Sequence, residues 1–329
     1  MKAITIDRYG SPDVLRLEEV EKPTPKDNEV LVKVHAVSAN PLDWHIMRGE
    51  PFLARLEKGL QKPSDKILGA DVAGRVEAVG GNVTEFQPGD AVFGDAFDSG
   101  LGGFAEYVCI PESTLVLKPA ELSFESAAAV PIAAITALQG LRKGGIQSGQ
   151  KVLVNGASGG VGTFAVQIAK SFGAEVTGVC STRNLEMVRS IGADHVVDYT
   201  QDDFTKNGQG YDLILDAVGN RSVSDYQRAL SPRGMCVIAG FTTLPRLFEH
   251  MIVGPLMSMT NSKKVGMMST VKTNKADLLF MKNLLETGKV VPVIDKRYPF
   301  SETAEAIRYL EQGHARGKVV ITVEENNTL

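Results

Sequence analysis

Cysteine, blocks of like charge and long apolar runs are all scarce in this chain. Its only cysteines are Cys109, Cys180 and Cys236. Odd in number and widely spaced, they form no disulfide framework and point to a reducing, cytoplasmic setting. Lys and Arg number 35 against 39 Asp and Glu, for a formal net charge of −4 with no basic block. That balance argues against a nucleic-acid or anionic-membrane partner. The most apolar stretch, residues 126–141, contains Pro131, Thr136 and Gln139 and falls short of the roughly 20 apolar residues of a spanning helix. Residues 1–8 alternate like a strand and lack the apolar centre of a signal peptide.

What the chain has is length and glycine. Its 329 residues suffice for two domains, each with its own core, and its 33 glycines fall in short runs. The first third reads as short strands at 2–7, 14–20, 30–39, 72–79, 91–93 and 104–110, divided by Gly and Pro turn signals. That spacing predicts a barrel-like β domain. From about residue 123 the texture changes. A helical pattern over 124–141 leads into β-branched runs at 151–154, 175–180, 195–198, 211–216, 235–239 and 264–268, with helix-like segments at 161–172, 184–191 and 222–230 between them. Six such strands predict a doubly wound parallel sheet. The tail offers a helix at 276–287, an extended piece at 290–298, a short helix at 301–311 and a strand at 318–323. It completes no further nucleotide-binding unit, so the simplest arrangement returns it to the first domain.

The densest signal is the run from Lys151 to Gly162, a strand, a glycine-rich turn and the start of a helix. Ala157, Ser158, Gly159, Gly160 and Val161 form the turn. Small residues there let a pyrophosphate approach the backbone, and the N–H groups at the helix start face the anion. Strict G-x-G-x-x-G is absent, since Ala157 stands at the first position. An NAD enzyme carries an acid about 20 residues beyond such a turn, on the ribose 2′-hydroxyl. Here the second strand ends in Cys180-Ser181-Thr182-Arg183. Two hydroxyls and a guanidinium suit a 2′-phosphate and favour NADPH, although Arg183 also reads as a solvated helix-start residue.

Several segments together resemble the zinc-independent quinone oxidoreductases of the medium-chain dehydrogenase/reductase superfamily. They are residues 37–44 (Val-Ser-Ala-Asn-Pro-Leu-Asp-Trp), 68–74 (Leu-Gly-Ala-Asp-Val-Ala-Gly), 86–92, 102–107, the glycine turn and Gly317-Lys318-Val319-Val320. The likeness spans nearly the whole chain, and the Asn-Pro-Leu-Asp-Trp form is most similar to the plastid-envelope group and its mitochondrial relatives. It implies an α/β architecture, a GroES-like β-barrel catalytic domain at 1–122 and 270–329 flanking a Rossmann NADPH-binding domain at 123–269, and a homodimer.

Zinc-dependent relatives hold their metal with an early Cys and with a His-Glu pair after a glycine. The matching positions here are Asn40, and Ala70-Asp71 after Gly69, which do not supply the thiolate and imidazole zinc prefers. The five histidines are scattered. Without a Lewis acid to polarise a simple ketone, the fitting acceptor is a quinone or an α,β-unsaturated carbonyl, already electrophilic at carbon. The resemblance places Asn40, Asp43 and His45 in the catalytic loop, His45 as a proton donor. Asp43 reads equally as a helix cap, His45 as a half-exposed loop residue and Trp44 as core. It places Thr136, Tyr199, Ala217, Val218, Gly240, Phe241 and Lys318 at the cofactor, with a back-bonded helix threonine the other reading of Thr136. Segments 51–64 and 95–102 are expected to shape the substrate pocket, and the methionine-rich stretch 244–260 to be a contact helix or a lid. Two rival readings stay open: an NADPH-binding protein with little turnover, and a zinc-type alcohol dehydrogenase.

Overall fold

Alternating β-branched residues build most of the first unit in the computed structural model, which describes residues 1–52, 55–268 and 270–323. Strands β1 (Lys2–Thr5) and β2 (Arg16–Glu19) form an antiparallel ribbon. Then come β3 (Glu29–Ala39), β4 (Asp71–Val79), β5 (Ala91–Asp95), β6 (Tyr107–Pro111) and β7 (Leu115–Leu117). The long β3 is buried over most of its length and pairs with both β4 and β6. A three-residue strand such as β7 is too short to show a period, and the sequence reading passes over it. Between β3 and β4 lies the helix Pro41–Arg48. Residues 53 and 54 of the expected pocket segment lie outside the described residues.

The single helix expected over 124–141 is two, Phe124–Ala128 and Pro131–Lys143. Pro131 has no N–H to give to the turn before it, so it opens a new helix. The second unit spans 133–271 and 287–291. It holds β8 (Lys151–Asn155), β9 (Glu175–Cys180), β10 (His195–Asp198), β11 (Tyr211–Asp216), β12 (Leu230–Ile238) and β13 (Lys264–Met267). All pair in parallel, in the order β10-β9-β8-β11-β12-β13, the two-halved order of a dinucleotide-binding sheet. Two glycines make the first crossover possible. Gly156 sits at φ +81°, and a Cβ on Gly162 would lie 2.0 Å from the Gly156 carbonyl oxygen.

The chain then returns to its first unit, which comprises 1–132, 272–286 and 292–329; residues 324–329 lie outside the described residues. Strands β14 (Ile294–Pro299) and β15 (Lys318–Thr322) extend the large sheet to the order β14-β15-β3-β4-β5-β7. Its core gathers Val32, Val37, Leu68, Val72, Phe104 and Ile321. The expected stretch 244–260 is a succession of short pieces, Leu244–Phe248, Glu249–Val253 and Gly254–Thr260, the middle one with π-type hydrogen bonding. No helix among the described residues is long and apolar enough to cross a membrane.

Candidate active site

The antiparallel registers dictate one polar cluster in the first unit. β3 lies between β4 and β15, with Ser38 opposite Asp71 and Ala39 opposite Val319. The end of β3 therefore meets the starts of both neighbours, and Ser38, Asn40, Asp71 and Lys318 converge there, all buried. Asp71 Oδ2 accepts from Ser38 Oγ at 2.5 Å, Asn40 Nδ2 at 2.9 Å and Lys318 Nζ at 3.1 Å. Its Oδ1 accepts from the Ile132 backbone N–H at 2.7 Å. Lys318 Nζ also donates to Asn40 Oδ1 at 2.6 Å. An ion pair this deep survives only when its remaining valences are met, and here four donors meet one carboxylate.

Asp43 stands beside this cluster in a different role. Its carboxylate accepts the Asn40 backbone N–H at 2.7 Å and the Gly69 N–H at 3.0 Å. It thus closes the first turn of helix Pro41–Arg48 in a capping-box arrangement and ties that turn to the approach of β4. Burial pushes its carboxyl up to about 7 and the Asp71 charge adds to this, against the two backbone N–H groups and Lys318. Both oxygens face backbone N–H groups, so the geometry makes Asp43 a positioning group. His45 is half-buried and stacks on Trp44, ring centroids 3.6 Å apart. Its Nδ1 lies 2.8 Å from the Glu50 carbonyl oxygen. A carbonyl only accepts, so Nδ1 carries the hydrogen and Nε2 is the bare nitrogen of the neutral ring. Burial lowers the His45 pKa. Trp44 packs against the core of the unit.

The second unit collects the other expected residues at the carboxyl ends of its parallel strands. The Gly156 and Ala157 N–H groups bond the Val179 carbonyl of β9. Gly160, Val161 and Gly162 head the helix Gly160–Ser171, where an N–H has no carbonyl one turn back. Asp216, fully buried at the end of β11, accepts from the Val218 and Gly219 N–H groups at 2.7 Å each, from Tyr226 Oη at 2.6 Å and from Asn155 Nδ2 at 2.9 Å. That anchor fixes the turn carrying Ala217 and Val218, and the Ala239 N–H of the next strand end bonds the Asp216 carbonyl, leading to Gly240 and Phe241. Thr136 is buried in helix Pro131–Lys143.

At the end of β9, Asn184 Nδ2 donates to Ser158 Oγ at 3.0 Å and Ser181 Oγ at 3.2 Å. Asn184 is buried, and its Oδ1 has no hydrogen-bond partner. Arg183 is exposed. Tyr199 is 55% exposed, its N–H on the Cys180 carbonyl. The hydroxyl of Thr182 turns to Asp198 Oδ2 at 2.5 Å, which removes one of the two hydroxyls expected for a 2′-phosphate.

Lys318 is the residue whose neighbours differ most from expectation. Assigned to the cofactor, it has its ammonium bonded to Asn40 and Asp71 in the first unit. Sequence reasoning left Ser38, Asp71 and Asn184 without functional roles. Asp71 carried a signal, since it stands at a position that matches a metal ligand in zinc-dependent relatives. Asn184 carried one too, in its distance from the glycine turn.

Zinc does not fit this site. Asn40 Oδ1 and Asp71 Oδ2 already hold an ammonium, and among the described residues no three His, Cys, Asp or Glu side chains group to hold a metal. A dinucleotide does fit the second unit: the small-residue turn leaves room for phosphate, and unmet polar valence gathers at the end of β9.

A parallel sheet of this order with a glycine turn, in one chain with this barrel-like unit, defines a pyridine-nucleotide-dependent oxidoreductase. Residues 26–120 match the alcohol dehydrogenase GroES-like domain family and 191–321 the family described as zinc-binding dehydrogenase. The chain is 38% identical to 2-methylene-furan-3-one reductase of Solanum lycopersicum over 98% of its own length and 79% of the relative's. It is 36% identical to a chloroplast envelope quinone oxidoreductase homolog of Arabidopsis thaliana, with 98% of each chain covered. The solved quinone oxidoreductase of Coxiella burnetii superposes with a TM-score of 0.88 at 32% identity, covering 98% of this chain and 99% of that one. This protein belongs to the quinone oxidoreductase and alkenal reductase branch of the medium-chain dehydrogenase/reductase superfamily.

Proposed function

We propose that this chain reduces quinones or α,β-unsaturated carbonyls with NADPH and without zinc, its first unit catalytic and its second unit holding the nucleotide. The observation that carries the reading is the ammonium of Lys318 on Asn40 and Asp71. A cation of single charge, already neutralised by Asp71, is a poor substitute for a Lewis acid, so the substrate must bring its own electrophilicity. Conjugated acceptors do so. The reductase, alkenal/one oxidoreductase and quinone oxidoreductase activities in the relatives' names agree with this.

When bound, NADPH supplies the hydride. The chain's own residues do the rest. Asp216 holds the Val218 turn, and the head of helix Gly160–Ser171 receives the pyrophosphate. Ser158, Ser181 and Arg183 receive the 2′-phosphate. Asp43 and Asp71 fix Asn40, whose loop also carries His45. Hydride addition leaves an enolate or hydroquinone anion that needs a proton. His45 delivers it through Nε2 in the imidazolium form, since Nδ1 is committed to Glu50.

The second copy of a homodimer is best accommodated at residues 244–260, where Ile252 is 63% and Met259 84% exposed, together with the neighbouring sheet edge at β13. Three unbridged cysteines agree with a reducing compartment such as the cytoplasm.

The test follows NADPH and NADH oxidation by purified, chelator-treated protein against quinones, enals and simple ketones. Turnover of quinones or enals with NADPH that survives chelation is the expected result. Tight NADPH binding with no turnover on any acceptor would favour a binding protein, and ketone turnover lost on chelation would favour a zinc dehydrogenase.

A further inference from the structure

The end of β9 holds a polar arrangement that the reaction alone does not require. Asn184 is buried, yet its side chain serves neither a helix cap nor the core. Both of its donated bonds go to hydroxyls: Ser158 on the glycine turn at 3.0 Å and Ser181 just past β9 at 3.2 Å. Its Oδ1 is buried without a donor. The orientation follows from the inventory of a primary amide, which has two N–H donors and one oxygen. Turned the other way, the group would bury an NH2 without acceptors, and orphaned N–H groups are rarer than orphaned carbonyls. The amide therefore spends both N–H groups on the two serines and leaves one acceptor unmet.

That choice sets the polarity of the serines. A hydroxyl that receives an N–H on its oxygen keeps its own O–H to donate. Ser158 and Ser181 are thus both presented as donors, one on each side of the crevice between the glycine turn and the end of β9. Thr182 does not compete, because its hydroxyl is bonded to Asp198. A pair of donors suits a group that only accepts, such as a phosphate dianion. It does not suit a ribose 2′-hydroxyl, which an acid would accept at this distance beyond the glycines in an NAD enzyme.

We infer that Asn184 is a positioning residue that sets the preference for a 2′-phosphorylated nucleotide by holding the Ser158 and Ser181 hydroxyls as donors. The inference rests on the NADPH reading above and adds its determinant. Asn184→Asp turns the amide into an acceptor of nearly the same shape. The carboxylate takes up both serine O–H groups, repels a phosphate and offers an acceptor to a ribose hydroxyl.

The experiment measures dissociation constants for NADP+ and NAD+ by quenching of intrinsic fluorescence, in the absence of any substrate. The wild-type protein is expected to hold NADP+ at least about tenfold tighter than NAD+, the size of one or two charge-assisted hydrogen bonds. Asn184→Asp is expected to reverse the order. Asn184→Ala and Ser181→Ala are each expected to weaken NADP+ by about tenfold while leaving NAD+ within about twofold. The Ser181 variant leaves the buried amide in place and so covers the case in which an Asn184 variant fails to fold. Equal weakening of both nucleotides in the Asn184 variants, or an Asn184→Asp protein that keeps the wild-type preference, would overturn the inference while the NADPH reading stands. Equal affinity of the wild-type protein for the two nucleotides would overturn both.

Discussion

Two buried polar groupings, one in each unit, stand under opposite conditions. In the first, Asp71 is surrounded by donors from Ser38, Asn40, Lys318 and the Ile132 backbone, and the ammonium of Lys318 is shared between two oxygens. In the second, Asn184 keeps an oxygen with no partner. A saturated cluster is rigid and gains nothing further from a ligand. An arrangement with unmet valence or committed donors is a place where a ligand adds to what the protein lacks. On the reading proposed above, the first unit's cluster positions a loop and the end of β9 selects the nucleotide.

The contrast can be broken most severely at Lys318. Lys318→Met strands the Asp71 charge in the core, and the expected loss is about 3–5 kcal/mol of unfolding free energy in urea. Pairing it with Asp71→Asn should restore much of that. A double variant as unstable as the single one would show that the ion pair is incidental to folding. The second unit is tested at Gly162, where an added methyl meets the Gly156 carbonyl oxygen. Gly162→Ala should cost about 1–3 kcal/mol and weaken nucleotide binding at the same time. Unchanged affinity would argue against the turn as the phosphate site.

A subtler probe is the pH dependence carried by Asp43. Its carboxyl in the folded protein stands at about 7, above the ordinary value of 3.8. The folded state then holds the proton more tightly than the unfolded chain. Between those values its contribution to stability falls as pH rises, by up to about 1.4 kcal/mol per pH unit, and it levels off above them. Asp43→Asn should flatten this slope; the comparison is of urea midpoints for the two proteins from pH 4 to 8, and parallel curves would refute the burial argument. The smallest effect expected is at His45. With its pKa lowered by burial, the imidazolium is populated only below its ordinary value of 6.5, so proton delivery should slow as pH rises through that region. His45→Gln should give a flatter kcat profile, and an unaltered profile would make His45 a loop residue alone.

Much of this was legible in the chain because the signals are local. The six β-branched runs between helical segments announced the parallel sheet, and Lys151 to Gly162 announced its nucleotide end. Pro131 itself marked the break between two helices that the apolar pattern ran together. The active cluster was legible only in pieces. Asn40 and Asp71 stood out as mismatches to metal ligands, but the link between Asn40 and Lys318 joins residues 278 apart in sequence. It exists because β15 pairs antiparallel with β3, a fact of topology that no local period carries. Asn184 escaped for a different reason. Its distance from the glycine turn is visible in the chain, but its burial and its two serine partners exist only in the folded structure.

The late return of the chain to its first unit has a consequence during synthesis. As the polypeptide leaves the ribosome, Asp71 emerges before the second unit, whereas the lysine that neutralises it arrives with β15, after that unit. Residues 133–271, by contrast, contain all six strands of the nucleotide sheet. The nucleotide-type sheet can therefore be assembled before β15 brings the ammonium that neutralises Asp71.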